Sequence, residues 1–104
     1  MVLLYKKGGA NMENTSAFKA LSDKTRRDIL TLLKEEGRLA AGDIASHFNM
    51  TQATVSHHLS ILTSAGLIVD EKQGKYIYYE INTTVMQDML AWFMSLLGGG
   101  KDEK

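Results

Sequence analysis

The sequence predicts a mainly α-helical domain with one small β-hairpin, and three observations predict it. Between Thr51 and Gly66 the apolar residues Val55, Leu59 and Leu62 recur at i, i+4 and i+7, the spacing of one helix face. Just upstream, Ala41 to Phe48 forms a shorter amphipathic segment, and Asn49-Met50 separates the two. Just downstream the period becomes alternating on both sides of Gln73-Gly74-Lys75. Two short helices joined by a tight turn form a helix-turn-helix, and a hairpin directly after it reads as a wing. The expected architecture is therefore a winged helix-turn-helix.

At 104 residues the chain suits a single domain, near the lower end of what one core stabilises unaided. A hydrophobic fraction of 44% against 23% charged residues excludes a disordered chain. No apolar run approaches a membrane span. The absence of cysteine excludes a disulfide framework and thiolate chemistry, and it suits a reducing cytoplasm, the expected location. Lys plus Arg equals Asp plus Glu at 12 each, and from Gly42 to Val69 the only formal charge is Asp43. Contacts to nucleic-acid phosphates must come from outside the helix pair, which predicts a shallow salt dependence.

Residues 1–11 read as a leader outside the domain. The apolar run Val2 to Tyr5 is too short for a signal peptide, and Lys6 and Lys7 follow it instead of preceding it. Lys6-Lys7-Gly8-Gly9 is what purine-rich codons encode, and these can spell a ribosome-binding site just ahead of Met12. Two expectations follow: translation that natively begins at Met12, or an arm whose lysines touch DNA phosphates. A peptide of the native protein containing Lys7 to Met12, seen by mass spectrometry, would exclude the first.

The domain is expected over residues 12–97. From Thr15 the chain turns helical, with Ala17, Phe18 and Leu21 on one side. Ser22-Asp23 is a capping pair for Lys24 to Lys34, whose core face is Ile29, Leu30, Leu32 and Leu33, and Gly37 ends that helix. Lys24, Arg26, Arg27 and Arg38 are candidate phosphate contacts. Ile44, Ala45 and Phe48 form the buried side of the next segment.

Thr51 caps the long second helix of the motif, and Gly66 closes it. Opposite its apolar stripe lie Ala53, Ser56, His57, Ser60 and Ser64, a face without long charged side chains. A solvated helix face is normally rich in Lys and Glu. This one is small, polar and able to hydrogen-bond, as expected of a surface that presses on a partner. In the hairpin, Ile77, Tyr79 and Ile81 share one face and Tyr76, Tyr78 and Glu80 the other, with Lys72 and Lys75 beside the tip. Asn82 caps a final helix, and Gly98 stops it before a flexible tail at 98–104. Val85, Met86, Met89, Leu90, Phe93, Leu96 and Leu97, widened by Trp92 and Met94, exceed what so small a domain buries, so a partner helix is expected there.

Leu21-Ser-Asp-Lys-Thr-Arg-Arg-Asp-Ile-Leu30, Gly42-Asp-Ile-Ala45, Val55-Ser-His-His-Leu59 and Ala65-Gly-Leu-Ile68 resemble the ArsR (ArsR/SmtB) family of bacterial winged-helix repressors. The resemblance runs from about Phe18 to Leu97 and is greatest to the SdpR-like autorepressor subgroup. Lys24 stands where the family usually has proline, but the cap before it is intact.

The resemblance implies a cytoplasmic homodimer, joined through its terminal helices, that represses transcription by occupying a palindromic operator in double-stranded DNA. It carries DNA contact onto Gln52, Ser56 and His57. Thr54 and Ser60 on the same side, and Lys72 and Lys75 of the wing, complete the expected DNA-binding set. Phe18, Met89, Trp92, Phe93 and Leu96 are the expected dimerisation residues. The subgroup also suggests a neighbouring membrane protein as sensor, with a small organic effector as the other option.

No metal or other cofactor is expected. The family's cysteine pair would fall at Ala40 and Gly42, and the last helix offers only Asp88 from the family's second ligand set. His57 and His58 are about 100° apart on one helix and cannot chelate one ion from a single chain. His57 is expected to face DNA and His58 to be a satisfied, partly buried residue. Catalysis is excluded by the lack of a phosphate loop, a cysteine nucleophile or a convergent carboxylate pair. The competing reading is a winged helix used for protein–protein contact with DNA binding weak or lost, favoured by the uncharged motif.

Overall fold

A computed structural model describes residues 16–98. The expectations for the leader at 1–11 and for the tail beyond Gly98 lie outside the described residues. A helical segment at 16–20 leads into α1 (Lys24–Glu36). Then follow β1 (Leu39–Ala40), α2 (Ala41–Ala45), α3 (Gln52–Ser64), β2 (Ile68–Gln73), β3 (Tyr76–Ile81) and α4 (Thr83–Leu96). The arrangement is a winged helix-turn-helix: mostly helical, with a small antiparallel sheet.

Each long helix starts at a side-chain cap that satisfies a free N–H of the first turn. Asp23 accepts from the Arg26 N–H at 3.1 Å, Thr51 from Thr54 at 3.1 Å and Asn82 from Val85 at 3.4 Å. Ser22 is not part of the α1 cap. Its hydroxyl donates to the Lys19 carbonyl at 2.7 Å and closes the preceding turn.

The α2 helix is shorter than the amphipathic pattern implied. It ends at Ala45, and bonds from His47 N–H to the Ile44 carbonyl and from Phe48 N–H to Ala45 wind the next residues more tightly. This keeps Phe48 packed against the core while the chain turns toward Thr51.

The wing has a third strand. β1 pairs antiparallel with β3, setting Leu39 opposite Tyr79 and Ala40 opposite Tyr78, so the order is β1-β3-β2. A two-residue strand has no periodicity to read, which is why alternation predicted only a hairpin. β2 and β3 run to Gln73 and restart at Tyr76, leaving Gly74-Lys75 as a two-residue turn. Gly74 has φ 64° and, among the described residues, no non-glycine residue has positive φ, the pattern of a turn with glycine at its first central position.

Ile29 and Leu33 of α1, Ile44 of α2, and Val55, Leu59 and Leu62 of α3 bury together with Leu67, Ile68 and Met89. A fully buried Val or Leu contributes about 1.5–3 kcal/mol, so the α3 stripe alone is a substantial share of a small domain's stability. Leu32, expected in the core face of α1, is only half-buried. On the wing, Tyr79 and Ile81 pack against the core, but Ile77, opposite Lys72 near the turn, is exposed.

Gly66 couples α3 to the wing. Its φ of 82° lets Leu67 N–H reach back to the Leu62 carbonyl at 3.0 Å, and the Leu67 carbonyl then accepts from Asn82 N–H at 2.9 Å. A β-carbon there meets only Val85 Cγ2 at 3.6 Å, so the cost of substitution is conformational, not steric. Gly66→Ala is expected to cost about 1–2 kcal/mol, read as a lowered urea midpoint with unchanged m-value.

Candidate nucleic-acid interface

The α3 helix presents two unlike faces. Val55, Leu59 and Leu62 are at most 1% exposed, whereas Gln52, Ala53, Thr54, Ser56, His57 and Ser60 are all exposed. The buried stripe fixes which way the helix faces, and the polar set then points outward with no formal charge. At the N-terminal end, Thr51 Oγ1 also donates to Thr54 Oγ1 at 2.9 Å, leaving the Thr54 hydroxyl proton for an external acceptor. Gln52 is the first helical residue, at the end that enters a groove first in helix-turn-helix docking.

The wing tip extends this surface. Lys75 lies in the turn, its Nζ 5.7 Å from the Tyr76 ring centroid, and Lys72 sits opposite Ile77 near the strand end; both lysines are exposed. At the base of the wing Arg38 stacks on Tyr78 at 4.4 Å and pairs with Glu71 at 2.8 Å.

The four candidate phosphate contacts outside the motif all have partners within the chain. Besides Arg38, Lys24 pairs with Asp28 at 2.7 Å, Arg27 donates to the Leu21 carbonyl at 2.8 Å, and Arg26 is engaged by Ala20 and His58. The fold also sets Lys19 with His57, Ser60 and Ser64 around one open groove between the leading helical segment and α3. Only the packing of that segment brings Lys19 there; its own spacing carries no such signal.

The histidines do not converge. His47 Nδ1 lies 2.9 Å from the Asp43 carbonyl, and the His57 and His58 rings are 6.0 Å apart. His58 is largely covered, with Arg26 at 3.3 Å and Asp23 at 3.9 Å. The Asp23 carboxyl is held below the usual range, first by the hydrogen bond from the Arg26 backbone N–H, which outweighs the opposing effect of burial, with the nearby Arg26 charge adding to it. Among the described residues no three His, Cys, Asp or Glu gather as a metal site, and no helix is long and apolar enough to cross a membrane.

The α4 helix carries the second candidate surface. Leu90, Leu96 and Leu97 are 60%, 63% and 79% exposed, and Trp92, Phe93 and Met94 are each more than two-fifths exposed. Phe18 packs against Trp92 and Phe93, with ring centroids 5.4 and 5.5 Å away, so the leading segment and α4 present one continuous apolar face. Met89 does not belong to it. At 5% exposure it points into the core of its own chain, a correction to its expected place among the dimerisation residues.

Comparison with known proteins gives a consistent picture. The family described as bacterial regulatory protein, arsR family, matches residues 23–69, from the α1 cap into the first wing strand. The transcriptional repressor SdpR of Bacillus subtilis is 49% identical over 88 residues, covering 85% of this chain and 97% of the relative. A crystal structure of an ArsR family transcriptional regulator superimposes with a TM-score of 0.77 at 26% identity, covering 85% of this chain and 90% of the other. The solution structure of a homodimeric winged helix-turn-helix DNA-binding domain from Mycobacterium bovis gives 0.68 at 30% identity, covering 97% and 89%.

Proposed function

This chain belongs to the ArsR family of bacterial regulatory proteins, and from that premise we propose that it acts as a homodimer on an imperfect palindromic operator and represses its own operon. It is a DNA-binding transcriptional repressor with a winged helix-turn-helix and not an enzyme. The observation that carries the reading is the outward face of α3. Gln52, Thr54, Ser56, His57 and Ser60 stand exposed on a helix whose opposite side is locked into the core. Gln52 suits adenine N6 and N7 bidentately, and Ser56 and His57 can bond base edges or phosphates.

Lys72 and Lys75 of the wing supply backbone contacts, and Lys19 adds one beside the C-terminal half of α3. The domain is taken as residues 12–97, with the leader and tail outside it, working in the cytoplasm. A membrane-protein sensor or a small organic effector releases it. The test is a gel shift with the DNA upstream of its own gene: a retarded complex that survives competitor DNA is expected. Failure to bind that fragment, together with failure to enrich any duplex from a random library, favours the protein–protein reading that the uncharged motif suggests.

Two further outcomes are expected. Lys75→Ala weakens all DNA sequences about equally and flattens the dependence of log K on log salt by about one, measured by fluorescence anisotropy. Zinc at one equivalent leaves operator affinity unchanged, because Ala40 and Gly42 cannot ligate and the histidines point to separate places. Release of DNA by zinc that His57→Ala or His47→Ala blocks would overturn the metal-independent reading.

A further inference from the structure

Arg26 joins three pieces of the fold. Its backbone N–H donates to Asp23 Oδ2 at 3.1 Å, its Nε donates to the Ala20 carbonyl at 2.7 Å, and its Nη1 lies 3.3 Å from His58 Nδ1. A guanidinium has donors only, so His58 Nδ1 is the acceptor and the neutral ring carries its proton on Nε2. The His58 side chain keeps only 13% exposure, and Asp23 Oδ2 stands 3.9 Å from the same Nδ1. Little water is left there to replace the arginine if it is removed.

We infer that Arg26 is a positioning residue for operator reading: acting through His58, it sets the rotation of α3 about its own axis. The Val55, Leu59 and Leu62 stripe holds α3 by apolar burial, which is non-directional and tolerates small rolls and slides. A bond from a guanidinium to one ring nitrogen is directional. His58 follows His57 directly and is two residues from both Ser56 and Ser60, so a roll that breaks the bond turns the reading side chains away from the bases. Arg26 is itself anchored on the Ala20 carbonyl, and the segment that holds Ala20 also holds Phe18 against Trp92 and Phe93. The latch thus ties the apolar face of α4 to the reading face of α3 through two side chains.

The affinity readout rests on the operator-reading proposal, so the test pairs it with one that does not. The probe is a duplex enriched from a random library by the full wild-type chain. Arg26→Lys and His58→Leu are each expected to weaken that duplex roughly tenfold, leaving non-specific DNA binding within about twofold and the circular dichroism spectrum unchanged. His58→Asn places an amide oxygen near the position of Nδ1 and is expected to recover affinity to within about threefold of wild type. The double variant Arg26→Lys with His58→Leu is expected to be no weaker than either single one. Wild-type affinity in His58→Leu, no recovery in His58→Asn, or additive losses would each overturn the latch. In nitrogen spectra of the free protein, the His58 proton is expected on Nε2, and Arg26→Lys is expected to move the His58 ring signals more than those of His57. If no duplex is enriched, the operator-reading proposal fails on its own. The latch is then judged by the spectra, and it is overturned by a proton on Nδ1 or by His58 signals that Arg26→Lys does not move.

Discussion

Leu96→Glu is expected to give a folded monomer that has lost its hold on a palindromic operator. Leu96 is 63% exposed in the single chain, so a carboxylate there meets water in the monomer and costs its fold little. In a pair of α4 helices the same carboxylate would be buried without a partner, which is strongly unfavourable. Phe93→Glu is the less clean variant, because Phe93 also packs on Phe18 of its own chain at 5.5 Å. Breaking the dimer separates two half-site contacts that otherwise act together, and the lost effective concentration is worth roughly 10²–10⁴-fold in operator affinity. Sedimentation should show the change of mass and circular dichroism an unchanged helix content. A wild-type chain that sediments as a folded monomer at micromolar concentration would remove the dimer from the proposal.

Gln52→Ala is expected to cost roughly 1–3 kcal/mol of operator affinity and to relax preference at one base position in each half-site. Gln52 follows the Thr51 cap directly and is exposed, so truncating it removes a reading amide without disturbing the helix start. With two symmetric recognition helices, the relaxed positions should lie roughly 34–36 Å apart, one helical turn, or a multiple of it. Selection from a randomised half-site, run in parallel on wild type and variant, measures both effects. If Gln52→Ala, Ser56→Ala and His57→Ala all leave affinity and preference untouched, α3 is not the reading helix.

Much of the fold was legible because its signals are local. Asp23, Thr51 and Asn82 cap the helices they precede, since a side chain needs to reach only three residues ahead to find a free N–H. The i, i+4, i+7 stripe of α3 marked its buried side, and the residues opposite it are the exposed ones. The apolar excess of α4 was equally visible, because a count of Trp92, Phe93, Leu96 and Leu97 against the size of the domain needs no coordinates. The two-residue strand β1 was not legible, since its pairing partner lies some forty residues away and it is too short to show a period.

By itself the sequence determined the order of the helices and the hairpin, the caps at Asp23, Thr51 and Asn82, the side of α3 that faces outward and the family resemblance, all of which depend on spacing along the chain. Tertiary structure alone decided which charges are already occupied. Arg26, Arg27 and Arg38 are indistinguishable as residues from a free phosphate contact, yet their partners Ala20 and His58, Leu21, and Glu71 and Tyr78 are chosen by how the elements pack. Packing likewise sent Met89 inward while leaving Leu90 out, and brought Lys19 beside His57 and Ser60. The physical reason is range. Caps and helical stripes are set by neighbours within a turn or two, whereas a charge takes the nearest partner in space, and only the folded chain defines which residue that is.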